Sequence, residues 1–361
     1  MNEVVLVTEL EFTKGEGVFR AAESLRFEPA PAAEADLAEA VRRHDARAVV
    51  VGVEPYRGPL YEALGREGRP ERALIARFGV GHDSVDKPLA RRHGIVVTNT
   101  PGVLDVSVAE HTIWLVGALL RHVAALDADV KAGAFQPRTG SEAAGKTLGI
   151  IGLGRIGRRV ARMAHFGFGM RVVAAGVRSV EQIAEQEGVP FEQFCTEHGV
   201  AEYTTDVRSV LAQADVVSIH LPANDQTRHF IGAERLAWMR PEAVLVNTAR
   251  GSIVDEAALC DALAEGRLAR AALDVFENEP YEPVSPEKDL RRLPNVVLTP
   301  HVGSNTREAN RRMAEGCLRN VAGFFAGRLD EIDRVDVEGV WRANRGSCPG
   351  VETRCTTAET L

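Results

Sequence analysis

No apolar run in this chain approaches the ~18 to 20 residues of a membrane-spanning helix. The longest stretches, such as Ile113 to Leu120, stop far short, and no bilayer crossing is expected. No block of Lys or Arg interrupts the acidic balance. With 43 basic against 51 acidic residues, a net charge of −8 and a pI near 5.8, the electrostatic footprint of a nucleic-acid or anionic-membrane surface is missing. The N-terminal MNEVVLVTEL sets Glu3 and Glu9 beside a short strand-like run, without the basic n-region and cleavage site of a signal peptide. The five cysteines, Cys195, Cys260, Cys317, Cys348 and Cys355, are odd in number and scattered. They lack metal-ligand spacing, so reduced thiols in a cytoplasmic protein are expected and a metal site is not. Repeats and low-complexity segments are absent as well.

What remains is a chain of 361 residues with 45% apolar and 26% charged residues and 33 glycines. That length is about twice the usual ~100 to 200 residues of one domain, so two domains are expected. Short β-branched runs alternate with helical patterns, which is the mark of an α/β protein with parallel sheets. In the first hundred residues the expected strands are 4–8, 48–52, 74–79 and 95–100, separated by helices near 14–25, 34–44 and 86–93. A second series starts at Lys146, with strands at 147–151, 171–175, 216–221, 243–248, 271–276 and 296–299. Two doubly wound units follow. Between them Ser107 and Glu110 have the spacing of a capping box ahead of the Ile113 to Leu120 run. A further helix is expected over roughly Arg307 to Phe325, and from Glu331 the periodicity is lost and an irregular tail is expected.

GLGRIG at 152–157 follows a strand directly and opens a helix, the context in which this glycine pattern binds a dinucleotide. Gly152 suits the tight turn, Gly154 lets the backbone approach a pyrophosphate, and Gly157 permits close helix-to-strand packing. The helix N-terminus then offers free amides to the diphosphate. About 20 residues on, at the tip of the second strand, an acidic residue usually holds the ribose hydroxyls of NAD. Here Gly176 takes that place, followed by Val177, Arg178 and Ser179. A missing carboxylate with an arginine close by suits a 2′-phosphate, so NADP is favoured over NAD. The competing reading leaves Arg178 solvated and turns Glu181 back to the ribose.

Three later segments carry Arg250 (NTARGSIVDEAAL, 247–259), Glu279 (DVFENEP, 274–280) and His301 (LTPHVGS, 298–304). Each lies at or beyond the carboxyl end of an expected strand, where open α/β sheets place their ligands. Reduction of a 2-oxo acid delivers hydride to the carbonyl carbon and a proton to its oxygen, so it needs a donor titrating near neutral pH. Histidine suits that role. A carboxylate bonded to an imidazole orients it and favours its protonated form, and a guanidinium can hold a substrate carboxylate bidentately. Singly, each residue has a plainer reading, as a capping or core histidine, a surface ion pair and a solvated loop charge.

Together with GLGRIG and VAEHTIWLVGALLR (108–121), these segments resemble the D-isomer-specific 2-hydroxyacid dehydrogenase family, over about residues 45–328. The resemblance implies that Arg250 binds the substrate carboxylate, that His301 is the acid/base and that Glu279 is its partner. Formate dehydrogenases of the same fold pair the histidine with glutamine instead. It implies cofactor contacts from Arg155 and Ile156, from Thr248, Ala249 and Arg250, from Asp274 near the nicotinamide amide, and from His301, Gly303 and Ser304, with His220 and Pro222 lining the adenosine side. FGVGHDSVD (78–86) matches the loop whose amides grip the substrate carboxylate, which implicates Val80, Gly81 and His82; His82 could tune substrate choice or cap a turn. His111 and His165 sit in helical patterns and are read as structural. The implied fold is a Rossmann dinucleotide-binding domain, 103–302, inserted in a discontinuous flavodoxin-like substrate domain, 1–102 plus 303–330, with 331–361 as the tail. The implied assembly is a homodimer through the dinucleotide domain. The stretch from Gly176 to Asp215 is longer than the family's usual connection.

The expected activity is therefore NAD(P)-dependent interconversion of a 2-oxo acid and its D-2-hydroxy acid, with phosphoglycerate, glyoxylate/hydroxypyruvate and lactate-type substrates all open. The alternative is a dinucleotide-sensing binding protein like the corepressors built on this fold, which keep the same three residues.

Overall fold

A computed structural model describes residues 3–65 and 72–335. Among the described residues twelve strands form two sheets. β1 (Glu3–Thr8), β2 (Leu25–Ala30), β3 (Ala48–Val51), β4 (Ala73–Arg77) and β5 (Ile95–Thr98) make the first, in the order β2-β1-β3-β4-β5. β6 (Thr147–Ile151), β7 (Arg171–Ala175), β8 (Val200–Thr204), β9 (Val216–Ile219), β10 (Val244–Asn247), β11 (Arg270–Leu273) and β12 (Val296–Leu298) make the second, in the order β12-β11-β10-β9-β6-β7-β8. Every pairing within these sheets is parallel. The first order is that of flavodoxin-like sheets and the second contains the dinucleotide-binding order, each reversing direction at a switch point where a crevice opens.

Central strands such as β3 (AVVV) and β10 (VLVN) are rich in valine and buried at every position, because helices cover both faces of a parallel sheet. Two strands were not anticipated. β2 (LRFEPA) and β8 (VAEYT) are edge strands with exposed Arg26, Pro29 and Glu202, and half-solvated edges need no continuous apolar run. The first helix accordingly runs Glu9–Arg20, earlier than the expected 14–25, because the chain must turn back into β2. The long connection after Gly176 is filled by helices Val180–Glu187 and Phe191–His198, then β8 and the helix Val207–Gln213.

Helix Asp105–Arg121 joins the units: Val108 packs into the core of the first sheet, while Ala109, Ile113 and Val116 pack into that of the second. The expected capping box is not its start. Ser107 lies inside the helix, buried, with Oγ 2.9 Å from Thr306 Oγ1. The helix Arg307–Phe325 returns to the first sheet and buries Met313, Cys317, Val321 and Phe324 against Val5, Val7 and Phe27. Beyond it, residues expected to be irregular are in fact paired: Val335 N–H donates to Val97 O at 2.9 Å and Asn99 N–H to Asp333 O at 3.1 Å. The remainder of the expected tail, with Cys348 and Cys355, lies outside the described residues. Among the described residues no helix is long and apolar enough to cross a membrane.

Candidate active site

The glycine loop joins β6 to the helix Arg155–Arg162 at the point where the second sheet reverses order. Gly152 has φ +101°, and a Cβ there would stand 2.6 Å from the His220 carbonyl oxygen after β9. A Cβ on Gly157 would stand 2.3 Å from the Gly152 oxygen, whereas one on Gly154 meets nothing within 4 Å. Two glycines thus close the turn and the third leaves backbone open to an approaching group, at a helix N-terminus whose first amides lack intrahelical partners. The site fits a dinucleotide diphosphate. His220 is held by its Nε2 2.8 Å from Ser218 Oγ, and burial pushes its pKa down to about 4, so it stays neutral. Pro222 O accepts from Thr227 Oγ1 at 2.7 Å. Arg155 pairs with Asp105 at 3.2 Å, and Ile156 packs against both the first-sheet and the second-sheet cores.

At the tip of β7, Arg178 bends over the loop: one guanidinium nitrogen lies 3.4 Å from Leu153 O and the other donates to Gln186. Ser179 caps the helix Val180–Glu187 in a capping box with Gln182, and its hydroxyl donates to Glu181 at 2.6 Å. That bond holds the Glu181 carboxyl below its usual range. The position of Gly176 is crowded for a reason the sequence did not disclose: a Cβ would stand 2.6 Å from Tyr203 Oη on β8, which donates to Arg178 O at 2.8 Å.

Arg250 follows β10. The Asn247 side chain shapes its turn, accepting from Ala249 N at 3.0 Å and donating to Arg250 O at 2.9 Å. Thr248 Oγ1 lies 2.8 Å from Thr112 Oγ1 on the connecting helix. The guanidinium reaches the first unit and lies on the 79–83 loop, so closely that a Cβ on Gly81 would be 1.3 Å from Nη2. Val80 in that loop is anchored by Asn99 Nδ2, 2.8 Å from its carbonyl. His82 Nδ1 is 3.0 Å from Lys87 Nζ; an ammonium can only donate, so the ring proton sits on Nε2. Burial and then the Lys87 charge lower the pKa of His82.

The segment carrying His301 is organised by Asp274, which is 1% exposed. Its carboxylate accepts from Thr299 Oγ1 at 2.6 Å, Val302 N at 2.9 Å and Gly303 N at 2.8 Å. Burial alone would raise this carboxyl, but the bonds from His111, Thr299 and the two amides outweigh it and hold it low. His111 Nε2 lies 3.2 Å from Thr299 Oγ1 and 3.3 Å from Asp274 Oδ1; the hydroxyl gives its own proton to Asp274, so Nε2 carries one. Ser304 O accepts from Thr306 N at 3.0 Å, leading into the next helix.

His301 itself adopts φ +51°, a left-handed conformation uncommon outside glycine. Its amide donates to Asp274 O at 2.8 Å and Thr299 O at 3.0 Å. Nδ1 is 2.6 Å from Glu279 Oε2, and Phe276 N donates to Glu279 Oε1 at 3.0 Å. The imidazole is thereby oriented with Nε2 free. Behind it, Glu256 and Glu277 exchange backbone-to-carboxylate bonds of 3.2 and 2.6 Å, and burial raises Glu256 to about 7. A Cβ on Gly251 would stand 1.8 Å from the Phe276 carbonyl carbon, so the Arg250 turn rests directly on the segment leading to Glu279.

Sequence reasoning missed Asp83, Tyr203 and the partnership of His111 with Thr299. His111 was in view only as a helical residue, and nothing local marked the others.

The sequence profile described as "D-isomer specific 2-hydroxyacid dehydrogenase, NAD binding domain" matches residues 113–303. A glyoxylate reductase of Aeropyrum pernix is 43% identical over 269 residues, which covers 72% of this chain and 75% of that protein. Among solved structures, a D-lactate dehydrogenase from Aquifex aeolicus complexed with NAD and lactic acid superposes with TM-score 0.76 at 28% identity, covering 92% of this chain and 99% of that one. An NADPH-dependent glyoxylate/hydroxypyruvate reductase from Sinorhizobium meliloti, in complex with NADP and malonate, superposes with TM-score 0.72 at 30% identity, covering 90% and 94%. With the profile match spanning more than half of the chain and a close relative covering almost three quarters of it, the protein belongs to the D-isomer-specific 2-hydroxyacid dehydrogenase family.

Proposed function

We propose that the protein reduces a small 2-oxo acid, glyoxylate first among them, to the corresponding 2-hydroxy acid, of D configuration where that product is chiral. The observation that carries this reading is the His301–Glu279 pair, 2.6 Å apart, on a loop bound to the segment that also supports Arg250. When bound, the nicotinamide supplies the hydride. Arg250 and the amides of Val80 and Gly81 hold the substrate carboxylate. His301, oriented through Nδ1 by Glu279, gives the Nε2 proton to the carbonyl oxygen and takes it back in the oxidation direction. Assays with glyoxylate, hydroxypyruvate, pyruvate and 3-phosphohydroxypyruvate, each with NADH and NADPH, test the proposal. Turnover with at least one of them is expected; dinucleotide binding without any turnover would instead favour the sensing role.

NADP is the proposed preference. Arg178 over the glycine loop and Ser179 at a helix N-terminus supply a cation and a hydroxyl where an NAD enzyme would carry a carboxylate. Arg178→Ala should weaken NADPH binding about ten- to hundredfold with little effect on NADH, since a charge-assisted contact is worth roughly 1.5 to 3 kcal/mol. Gly176→Asp alone collides with Tyr203, so the swing towards NADH should be clearer in Gly176→Asp combined with Tyr203→Phe. Dinucleotide titrations of the two variants decide it, and a silent Arg178→Ala would assign the site to NAD. A homodimer through the dinucleotide unit is also proposed, supported by the exposed Trp114, Val123, Val130 and Phe135 on and after the connecting helix.

A further inference from the structure

Asp83 lies two residues beyond Gly81 in the first unit, while Arg250 belongs to the second. Their side chains meet across the cleft, with Arg250 Nε donating to Asp83 Oδ1 at 3.0 Å. A guanidinium carries five N–H groups. Nε is engaged by Asp83, and one N–H of Nη1 by the Ala249 carbonyl at 2.6 Å. One N–H remains on Nη1 and two on Nη2, enough for a carboxylate bound end-on with one donor from each nitrogen. Nη2 is the nitrogen that rests against Gly81.

Among the described residues of the first unit, Asp83 alone accepts a hydrogen bond from the guanidinium. Arg77, which is 6% exposed and donates to the Phe78 carbonyl, is near enough that Arg250, after burial, helps push its pKa down to about 10. The two cations repel, and without a carboxylate between the units the flexible Arg250 side chain would be fixed only at the Ala249 carbonyl. Burial disfavours charge on Asp83, yet the Arg250 charge and hydrogen bond outweigh it and keep the carboxyl low.

We propose that Asp83 is a positioning residue, holding the Arg250 guanidinium from the opposite side of the cleft so that the remaining N–H groups of Nη1 and Nη2 receive the substrate carboxylate at the 79–82 loop. The inference rests on the proposed role of Arg250. It differs from a latch, in which Asp83 would occupy the substrate's place, because Asp83 engages Nε and neither Nη1 nor Nη2.

The test is steady-state kinetics of the full chain with glyoxylate, or whichever 2-oxo acid turns over fastest, for Asp83→Ala, Asp83→Asn and Asp83→Glu, and for Asp83→Ala in an Arg250→Ala background. Asp83→Ala should raise KM for the 2-oxo acid about five- to twentyfold, with a smaller change in kcat and none in KM for the dinucleotide. Asp83→Asn keeps an acceptor oxygen in place and should recover most of the loss. Asp83→Glu keeps the charge but displaces the guanidinium, so it should resemble Asp83→Ala, and it serves if the alanine variant fails to fold. In the Arg250→Ala background Asp83→Ala should add nothing. An unchanged KM, a lowered KM, or an equal loss in both backgrounds overturns the positioning role. An Arg250→Ala enzyme with unaltered KM would instead overturn the reading beneath it.

Discussion

Replacing His301 by alanine should cut turnover in either direction by about 10² to 10⁴ while leaving dinucleotide affinity nearly intact. The loss corresponds to roughly 3 to 5 kcal/mol of barrier. It is expected to be large because two features converge on this one side chain. Its backbone is held at φ +51° by two hydrogen bonds from its own amide, and the loop around it is fixed by the Asp274 carboxylate. Conformations of this kind cost about 1 to 3 kcal/mol and persist where the surroundings over-determine them. Glu279→Gln provides the companion measurement. The carboxylate 2.6 Å from Nδ1 accepts its N–H and orients the ring. A neutral amide makes a weaker hydrogen bond than a carboxylate and holds the ring less firmly, so Glu279→Gln should lower kcat about tenfold with little change in dinucleotide affinity. Near wild-type turnover in His301→Ala would remove the proposed mechanism, and wild-type turnover in Glu279→Gln would separate the pair functionally.

The second large effect is expected from a single methyl group. Gly81→Ala places a Cβ 1.3 Å from Arg250 Nη2, a distance no pair of unbonded atoms tolerates, so the guanidinium must shift away from its present position on the loop. Loss of alignment at a substrate-positioning group costs on the order of 10²-fold in kcat/KM, and the 2-oxo acid KM should carry most of it. Arg250→Lys keeps the charge but not the planar fork and should act in the same direction. Tight dinucleotide binding and an unchanged melting temperature in Gly81→Ala would locate the damage in the substrate site. If Gly81→Ala and Arg250→Lys both behaved as wild type, the bidentate grip would be refuted.

The parts of the site legible in the sequence are those made by contiguous residues. The glycine loop announces itself because turn, approach and packing are set by three glycines within six positions. Arg250, Glu279 and His301 stand out because each follows a short apolar run, and the end of a strand in an open parallel sheet is where a ligand is met. The same reasoning failed where local pattern and tertiary demand diverge. Ser107 and Glu110 have the spacing of a capping box, yet Ser107 is buried inside the helix and faces Thr306, 199 residues away. At the sheet edges, β2 and β8 were overlooked because solvent on one side removes the need for an apolar run.

By itself the sequence determined the α/β class, the location of the dinucleotide loop and the residues around which the chemistry is proposed, because strand hydrophobicity, glycine turns and strand-end side chains are properties of neighbouring residues. Only the tertiary structure decided what surrounds those residues. It brought Asp83 onto Arg250 across 167 residues, set Tyr203 against Gly176, and joined His111 from the connecting helix to Thr299 and Asp274 beneath His301. Each of these contacts requires two segments separated in sequence to meet in a defined geometry, and that is fixed by how the strands, sheets and connecting helix pack, which no local pattern records.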